Sequence, residues 1–100
     1  MGLVSWQILL AVSVLIKWNP ASTTIPIDGY RIFTKDLSST TYVLSKTVPT
    51  ASTETTISLD LAVPKSIVVR AFNAFGESIN SNEVSAGYPM PPSGLTASPQ

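Results

Sequence analysis

The sequence predicts a small all-β sandwich, and its length, its residue pattern and its turn signals all favour that class. The chain has 100 residues, the usual size of one domain with a single hydrophobic core. Short runs of β-branched and aromatic residues are separated by clusters of Pro, Gly, Asn, Asp and Ser at intervals of about 8 to 12 residues, which is typical of sandwiches. No segment shows the apolar period of an amphipathic helix.

The first part of the chain is predicted to hold the ends of two strands rather than a membrane segment. Residues 8–16 read ILLAVSVLI, which is shorter than the roughly 20 apolar residues of a spanning helix. A signal peptide places its cations before the apolar stretch, whereas the first cation here is Lys17. The second of these strands alternates, and the residues predicted to face the core are Val12, Val14, Ile16 and Trp18.

The later strands alternate in the same way. In the strand predicted at residues 27–35, Tyr30 and Ile32 lie on one face, and Arg31 and Phe33 lie on the other. Three further runs are predicted as strands at residues 42–48, 67–71 and 83–88. A cleanly alternating run at residues 55–61 completes the set. In the runs at residues 55–61 and 67–71, the residues predicted to face the core are Ile57, Leu59, Leu61, Ile67, Val69 and Ala71.

Composition limits the classes of partner. Lys plus Arg and Asp plus Glu both number 6, so the formal net charge is zero and no field attracts nucleic acid or anionic lipid. Charged residues make up 12%, against roughly 25% in an average soluble domain. Such a surface is weakly protected against association. It fits a domain packed in a fibre, a multidomain chain or a virion, and it fits a small Thr-rich extracellular domain equally well.

Four segments together resemble a known family. The runs VSVLIKWNPA, IDGYRIF, TTISLDL and VVRAFNAFGES follow in this order, and their order and spacing are similar to those of a fibronectin type III domain across residues 2–88. Leu3 stands where the family's first strand starts, Trp18 matches its core tryptophan, and Tyr30 matches the aromatic residue of its third strand. The resemblance implies a seven-stranded antiparallel Greek-key β-sandwich, fibronectin type III-like.

One corner departs from the family pattern. The family usually places a tyrosine six residues after a leucine, with its hydroxyl bonded to backbone. The sixth residue after Leu59 is Lys65. We therefore expect this corner to lack the tyrosine hydrogen bond, and Pro64 to stiffen the turn instead.

The chain is predicted to divide into a domain at residues 1–88 and a proline-rich linker at residues 89–100. The tail PPSGLTAS is similar to the linker and first-strand opening of a following copy of the same family, as in a tandem repeat. An ordinary extended proline-rich terminus is the alternative. A third interpretation is that the tail pairs with an exposed sheet edge of a neighbouring domain.

Catalytic chemistry finds little support. The chain contains no His and no Cys, which removes the commonest general base, the thiolate nucleophile and the commonest metal ligands. The six carboxylates each lie in or beside a predicted loop, as turn formers and solvated charges do. Composition leaves open a serine/lysine pair or a chance pair of carboxylates. We predict no enzyme and no catalytic, cofactor-binding or metal-binding residue.

A partner surface is predicted after the sixth strand. Phe72 falls on the outer parity of that strand and Phe75 in the following loop, where an exposed ring can anchor a partner; packing on an adjoining loop or domain is the alternative. The predicted contact residues are Phe72, Asn73, Phe75 and Glu77.

The function predicted from these observations is that of a non-catalytic structural or protein-interaction module. We expect protein partners, such as neighbouring domains or subunits, and neither nucleic-acid binding nor membrane insertion. The expected location is extracellular, on a cell surface or in a virion, and an intracellular one is also compatible. The alternative function is an accessory glycan-binding domain whose site is formed by residues 19–28 and 73–82.

Overall fold

The fold is that of two antiparallel β-sheets packed face to face. A computed structural model describes residues 11–89 and 92–99. In these ranges there is no helix, and so none that is long and apolar enough to cross a bilayer. The strands are β1 (Ala11–Lys17), β2 (Gly29–Asp36), β3 (Val43–Pro49), β4 (Glu54–Asp60), β5 (Lys65–Asn73), β6 (Gly76–Glu77) and β7 (Val84–Ala86).

Three of the six connections between strands cross from one sheet to the other. The small sheet pairs β1 with β4, and the large sheet has the order β3-β2-β5, with β6 and β7 both paired to β5. After the β2–β3 hairpin the chain crosses to β4 in the small sheet and returns as β5 beside β2. This return connection is that of a Greek key. The predicted all-β class and its two antiparallel sheets are confirmed.

The strand positions agree closely with those predicted, although the two sets of seven differ at the chain's ends. The final strand is shorter than residues 83–88, since β7 covers only Val84–Ala86. The two-residue strand β6 was not predicted. The strand expected to start at Leu3, and the first three residues of the apolar segment 8–16, lie outside the described residues.

The core lies between the inner faces of the two sheets and follows the predicted alternation except at Val12, which was predicted to face the core but is 36% exposed on the two-stranded small sheet. Ile57 and Leu59 on β4 are buried against Tyr30 and Ile32 on β2 and against Ile67 on β5. Each such apolar side chain contributes roughly 1.5–3 kcal/mol through removal from water. The remaining buried members of this cluster are Ile16, Val48, Leu61 and Val69, with Val14, Trp18, Ile27, Ala71 and Ala86 packed against it.

Trp18 closes one end of the core and carries an unpaired donor. Its ring meets Tyr30 edge to face, with ring centroids 5.3 Å apart, an arrangement that aromatic quadrupoles favour. The Tyr30 hydroxyl accepts a hydrogen bond from the Ala21 N–H at 3.0 Å. Among the described residues, the Trp18 Nε1–H is the one buried side-chain polar group without a hydrogen-bond partner.

The outer face of the large sheet also buries apolar side chains. Phe33 and Val68 are neighbours on β2 and β5, and both are buried although their parity directs them away from the core. The Arg70 guanidinium lies 4.1 Å above the Phe33 ring, so cation–π stacking covers the ring. Leu15, on the outer face of the small sheet, stays exposed, as its parity predicted.

The corner between β4 and β5 is tied by backbone contacts. The Leu37 N–H donates to the Pro64 carbonyl at 2.8 Å, and Lys65 forms an ion pair with Asp36. Gly87 lies directly against Pro64, since a Cβ added at Gly87 would come within 3.0 Å of the proline Cα. Pro64 is thus contacted from two sides of the corner, and the Lys65 ammonium is used in the ion pair with Asp36.

Candidate functional site

The predicted contact residues surround a tight turn at the end of β5. Asn73 pairs with Gly76, and Phe72 pairs with Glu77, so only two residues connect β5 to β6. The Asn73 side-chain oxygen accepts a hydrogen bond from the Phe75 N–H at 2.9 Å. Gly76 has a φ of 146°, a backbone conformation that residues other than glycine rarely adopt. The turn projects Phe75 outward, and its side chain is 99% exposed.

A groove lies between this turn and the loop at residues 19–28. Its volume is about 410 Å³. All four predicted contact residues line it, although they come from a strand, a turn and a second strand. Ile25 and Ile27 provide the opposite apolar wall. The groove therefore joins the two loops that the glycan-binding alternative requires.

Hydrogen bonds to neighbouring segments hold the loop at residues 19–28 in place. The Asp28 N–H donates to the Phe72 carbonyl at 2.7 Å. The Asn73 side-chain amide donates to the Pro26 carbonyl at 3.2 Å, and the bond from Ala21 to the Tyr30 hydroxyl fixes the start of the loop. Both walls of the groove are thus attached to the same end of the sandwich.

Glu77 joins two arginines on the outer face of the large sheet. Its carboxylate accepts hydrogen bonds from Arg31 at 2.9 Å and from Arg70 at 3.0 Å. These bonds, first from Arg31 and then from Arg70, hold the pKa of Glu77 below its ordinary value of 4.5. The carboxylate is therefore ionised and satisfied at neutral pH, and its arrangement does not suit a general base.

Phe72 is partly covered by the same network. The Arg31 guanidinium lies 3.9 Å from the centroid of the Phe72 ring, a distance at which cation–π attraction is strong. Asn73 uses its side chain in the two bonds that shape the turn and the loop. Of the four predicted contact residues, Phe75 therefore presents the free apolar surface. The side chains of the other three are engaged in contacts within the protein.

A second polar network was not predicted from the sequence. Glu83 accepts hydrogen bonds from the Tyr42 hydroxyl and from the buried Ser66 hydroxyl. These bonds, first that from Tyr42, lower the pKa of Glu83; the same bond to Glu83 is the main cause that raises the pKa of Tyr42. Tyr42 and Glu83 are 41 positions apart, and no local pattern signals such a pair.

The arrangement of acidic groups offers no metal centre in the described part of the chain. No three carboxylates approach one another there closely enough to hold an ion. Asp36 pairs with Lys65, and Asp60 accepts a hydrogen bond from the Ala62 N–H at 2.9 Å. These carboxylates cap turns and pair with cations, as carboxylates beside loops commonly do.

The fold and the groove define a class of protein: a β-sandwich that presents one exposed aromatic side chain beside a groove free of unpaired charge. Comparison with known proteins does not assign this chain to a family. No protein-family model matches the chain, and no curated protein has a significantly similar sequence.

Proposed function

We propose that this chain is a fibronectin type III-like module without a catalytic site, which serves as a spacer or docking domain in a larger extracellular, cell-surface or virion assembly. The family resemblance of the sequence supports this proposal, and so does the packing of Trp18 on Tyr30 in the core. Sandwiches of this kind have many unrelated functions, so the function has to be inferred from the residues on the surface.

The full exposure of Phe75 is the observation that carries the docking role. A fully exposed large aromatic side chain costs solubility, and protein interfaces are enriched in such residues. The turn that displays Phe75 is rigid, because Asn73 and Gly76 fix its geometry. A turn of fixed backbone geometry loses little backbone conformational entropy on binding.

The alternative function is an accessory glycan-binding domain. One observation favours it: the groove is formed by the two loops that this function requires, and Phe75 could stack on a sugar ring. Glycan sites combine exposed aromatic rings with polar groups that are free to bond, but Asn73 and Glu77 already bond within the protein. Protein docking is therefore the function that the groove supports better.

Light scattering coupled to size-exclusion chromatography tests the module assignment. We expect the full chain and a version that ends at Tyr88 to be monomers of equal stability, because the tail is assigned as a linker. Self-association of the full chain alone would make the tail an interacting strand. A large loss of stability on truncation would show that the tail belongs to the domain and would contradict the linker assignment.

A titration separates the two candidate functions. Neutral oligosaccharides, namely cello-, xylo-, malto- and chitohexaose, are added to the full chain while the backbone amides are followed by NMR. We expect no saturable shift at Ile25, Phe75 or Gly76. Saturable shifts confined to these residues, and lost in Phe75→Ser, would overturn the docking role in favour of glycan binding.

A further inference from the structure

Serine and threonine hydroxyls outnumber the charged groups of this chain. The chain has 25 of these residues, whereas Lys plus Arg and Asp plus Glu number 6 each. Three loops between strands hold clusters of them, at residues 22–24, 38–41 and 50–53. The three clusters have similar composition, but the structure gives their backbones and hydroxyls different surroundings.

The loop that contains residues 38–41 is folded into a turn by its own hydrogen bonds. The Ser39 N–H donates to the Asp36 carbonyl at 2.8 Å, and the Ser39 hydroxyl oxygen accepts a bond from the Thr41 N–H at 3.2 Å. The Lys35 ammonium donates to the Ser39 carbonyl at 2.9 Å. An enzyme that needs an extended substrate would have to break these bonds before it could bind this loop.

The loop at residues 50–53 is also bonded to itself and to the sandwich. The Ser52 N–H donates to the Pro49 carbonyl at 3.0 Å. The Thr50 hydroxyl donates to the Ile27 carbonyl at 3.0 Å, so its proton is already engaged. This cluster is therefore held as a turn as well.

Residues 22–25 differ from both of these loops. In the described part of the chain they form no backbone–backbone hydrogen bond with a strand or a turn. The Ile25 N–H donates to the Thr23 hydroxyl oxygen at 3.0 Å, which is a local bond within the loop. The segment is exposed throughout, and the chain bends at Thr24 and Ile25. Thr24 therefore lies at the tip of the loop, and its hydroxyl bonds to no other described residue.

The sequence around this tip has the composition of a segment that carries O-linked sugars. Pro20 and Pro26 stand on either side of it, and proline excludes helix and keeps the residue before it extended. Segments rich in serine and threonine with proline are typical of O-glycosylated chains. Residues 18–27 contain no charged side chain, whereas charge patterns commonly select the substrates of kinases. The neutral composition thus favours a sugar over a phosphate.

We propose that Thr24 is an acceptor for O-linked N-acetylgalactosamine, transferred from uridine-diphosphate N-acetylgalactosamine. The Thr24 Oγ1 forms a bond to the anomeric carbon, and the bond from that carbon to the diphosphate oxygen breaks. The hydroxyl proton passes to the leaving diphosphate, so the products are the glycosylated threonine and uridine diphosphate. This site goes beyond the docking function and does not depend on it.

Thr24 is better placed for this reaction than its two neighbours. The Thr23 oxygen is already engaged with the Ile25 N–H. Ser22 and Thr23 also line the groove beside Phe75, and Thr24 does not. A sugar on Thr24 therefore has space outside the groove.

Sugar transfer to the purified, unmodified full chain tests the assignment. The full chain and a synthetic peptide of residues 19–28 are incubated with uridine-diphosphate N-acetylgalactosamine and polypeptide N-acetylgalactosaminyltransferases, and mass spectrometry locates the sugar. We expect transfer to Thr24 in the folded chain, because the tip is as free of strand contacts as it is in the peptide. Thr96, exposed in the proline-rich tail, should also accept sugar and reports that the enzyme is active. Transfer to the peptide alone, or to neither, would overturn the proposal.

Matched variants and an internal control loop complete the test. Thr24→Val removes the hydroxyl, keeps the shape of the side chain and should abolish transfer to the tip, whereas Thr23→Val should leave transfer to Thr24 unchanged. Thermal melting followed by circular dichroism verifies that both variants are folded. Residues 38–41 should stay unmodified. Equal transfer to that loop would mean that exposure or unfolding alone governs the reaction, and would contradict the assignment. The docking function, tested at Phe75, stands or falls separately.

Discussion

Phe33 and Phe75 show how the position of a phenylalanine in the large sheet determines whether its ring is buried or exposed. Phe33 points away from the core but is buried under the Arg70 guanidinium. Phe75 occupies a two-residue turn, where no neighbouring strand can cover it, and is fully exposed. The first ring stabilises the sheet, and the second is free to bind a partner.

At the residue scale, Trp18 is expected to be replaceable by phenylalanine. The buried Nε1–H has no acceptor among the described residues, and leaving such a donor unpaired costs about 1–3 kcal/mol. Trp18→Phe removes this donor and keeps an aromatic ring against Tyr30, so the free energy of unfolding should stay within about 1 kcal/mol of the parent value. Urea denaturation followed by circular dichroism measures the change.

Trp18→Ala is the comparison for this substitution. It removes the whole ring from the core and should cost about 3 kcal/mol. If Trp18→Phe destabilises the protein as much as Trp18→Ala does, the indole N–H has a partner that contributes substantially, and the interpretation is wrong.

At the scale of the element, β3 is an edge strand protected by a charge. Val43 and Leu44 are exposed on it, and one side of β3 has no paired strand in the described sheet. Lys46 stands opposite Ile32 in the register, so it is directed toward the small sheet, and its ammonium donates to the Thr56 carbonyl on β4 at 3.1 Å. A lysine directed inward on an edge strand is a known protection against edge-to-edge pairing.

Lys46→Met is therefore expected to increase self-association without a large loss of stability. Lys17→Met, at the end of β1, removes the same charge and serves as the matched control. Light scattering at protein concentrations of about 100 µM should show oligomers for Lys46→Met only. Equal association of both variants would assign the effect to net charge rather than to the β3 edge.

The alternation of apolar and polar residues made the strands predictable. It did not predict which side chains cover the outer faces of the sheets. The period of two placed Ile57, Leu59, Ile67 and Val69 in the core correctly. It could not show that Phe33 is buried, because the Arg70 that covers it comes from a strand far along the chain. Cross-strand contacts depend on strand order and register, and neither is written in local sequence.

At the scale of the whole molecule, the ion network at Glu77 links folding stability to pH. The pKa of Glu77 is lowered in the folded state by its bonds to Arg31 and Arg70. A lowered carboxyl pKa gives stability that is fully present above the unfolded value and is lost as the pH falls through the folded value. The contribution of this network should therefore disappear in acid, below pH 4.5.

Glu77→Gln isolates that contribution. The amide cannot form the ion pairs, so the variant should be less stable than the parent by about 1 kcal/mol at pH 7. At a pH below the folded pKa the parent carboxyl is also neutral, and the difference should vanish. Urea denaturation at both pH values checks this, with Glu54→Gln as a control that forms no ion pair among the described residues. A difference that persists unchanged in acid would contradict the assignment.

The sequence by itself determined the fold class, the positions of most strands and the residues of the core, because alternation and turn chemistry are local properties of the chain. It also indicated Phe72, Asn73, Phe75 and Glu77, because parity and loop position can be read along one strand. Tertiary structure alone decided that Glu77 is neutralised by two arginines and that Glu83 accepts a hydrogen bond from the Tyr42 hydroxyl. These features arise where strands distant in sequence become neighbours, and their contacts depend on the three-dimensional order of the two sheets.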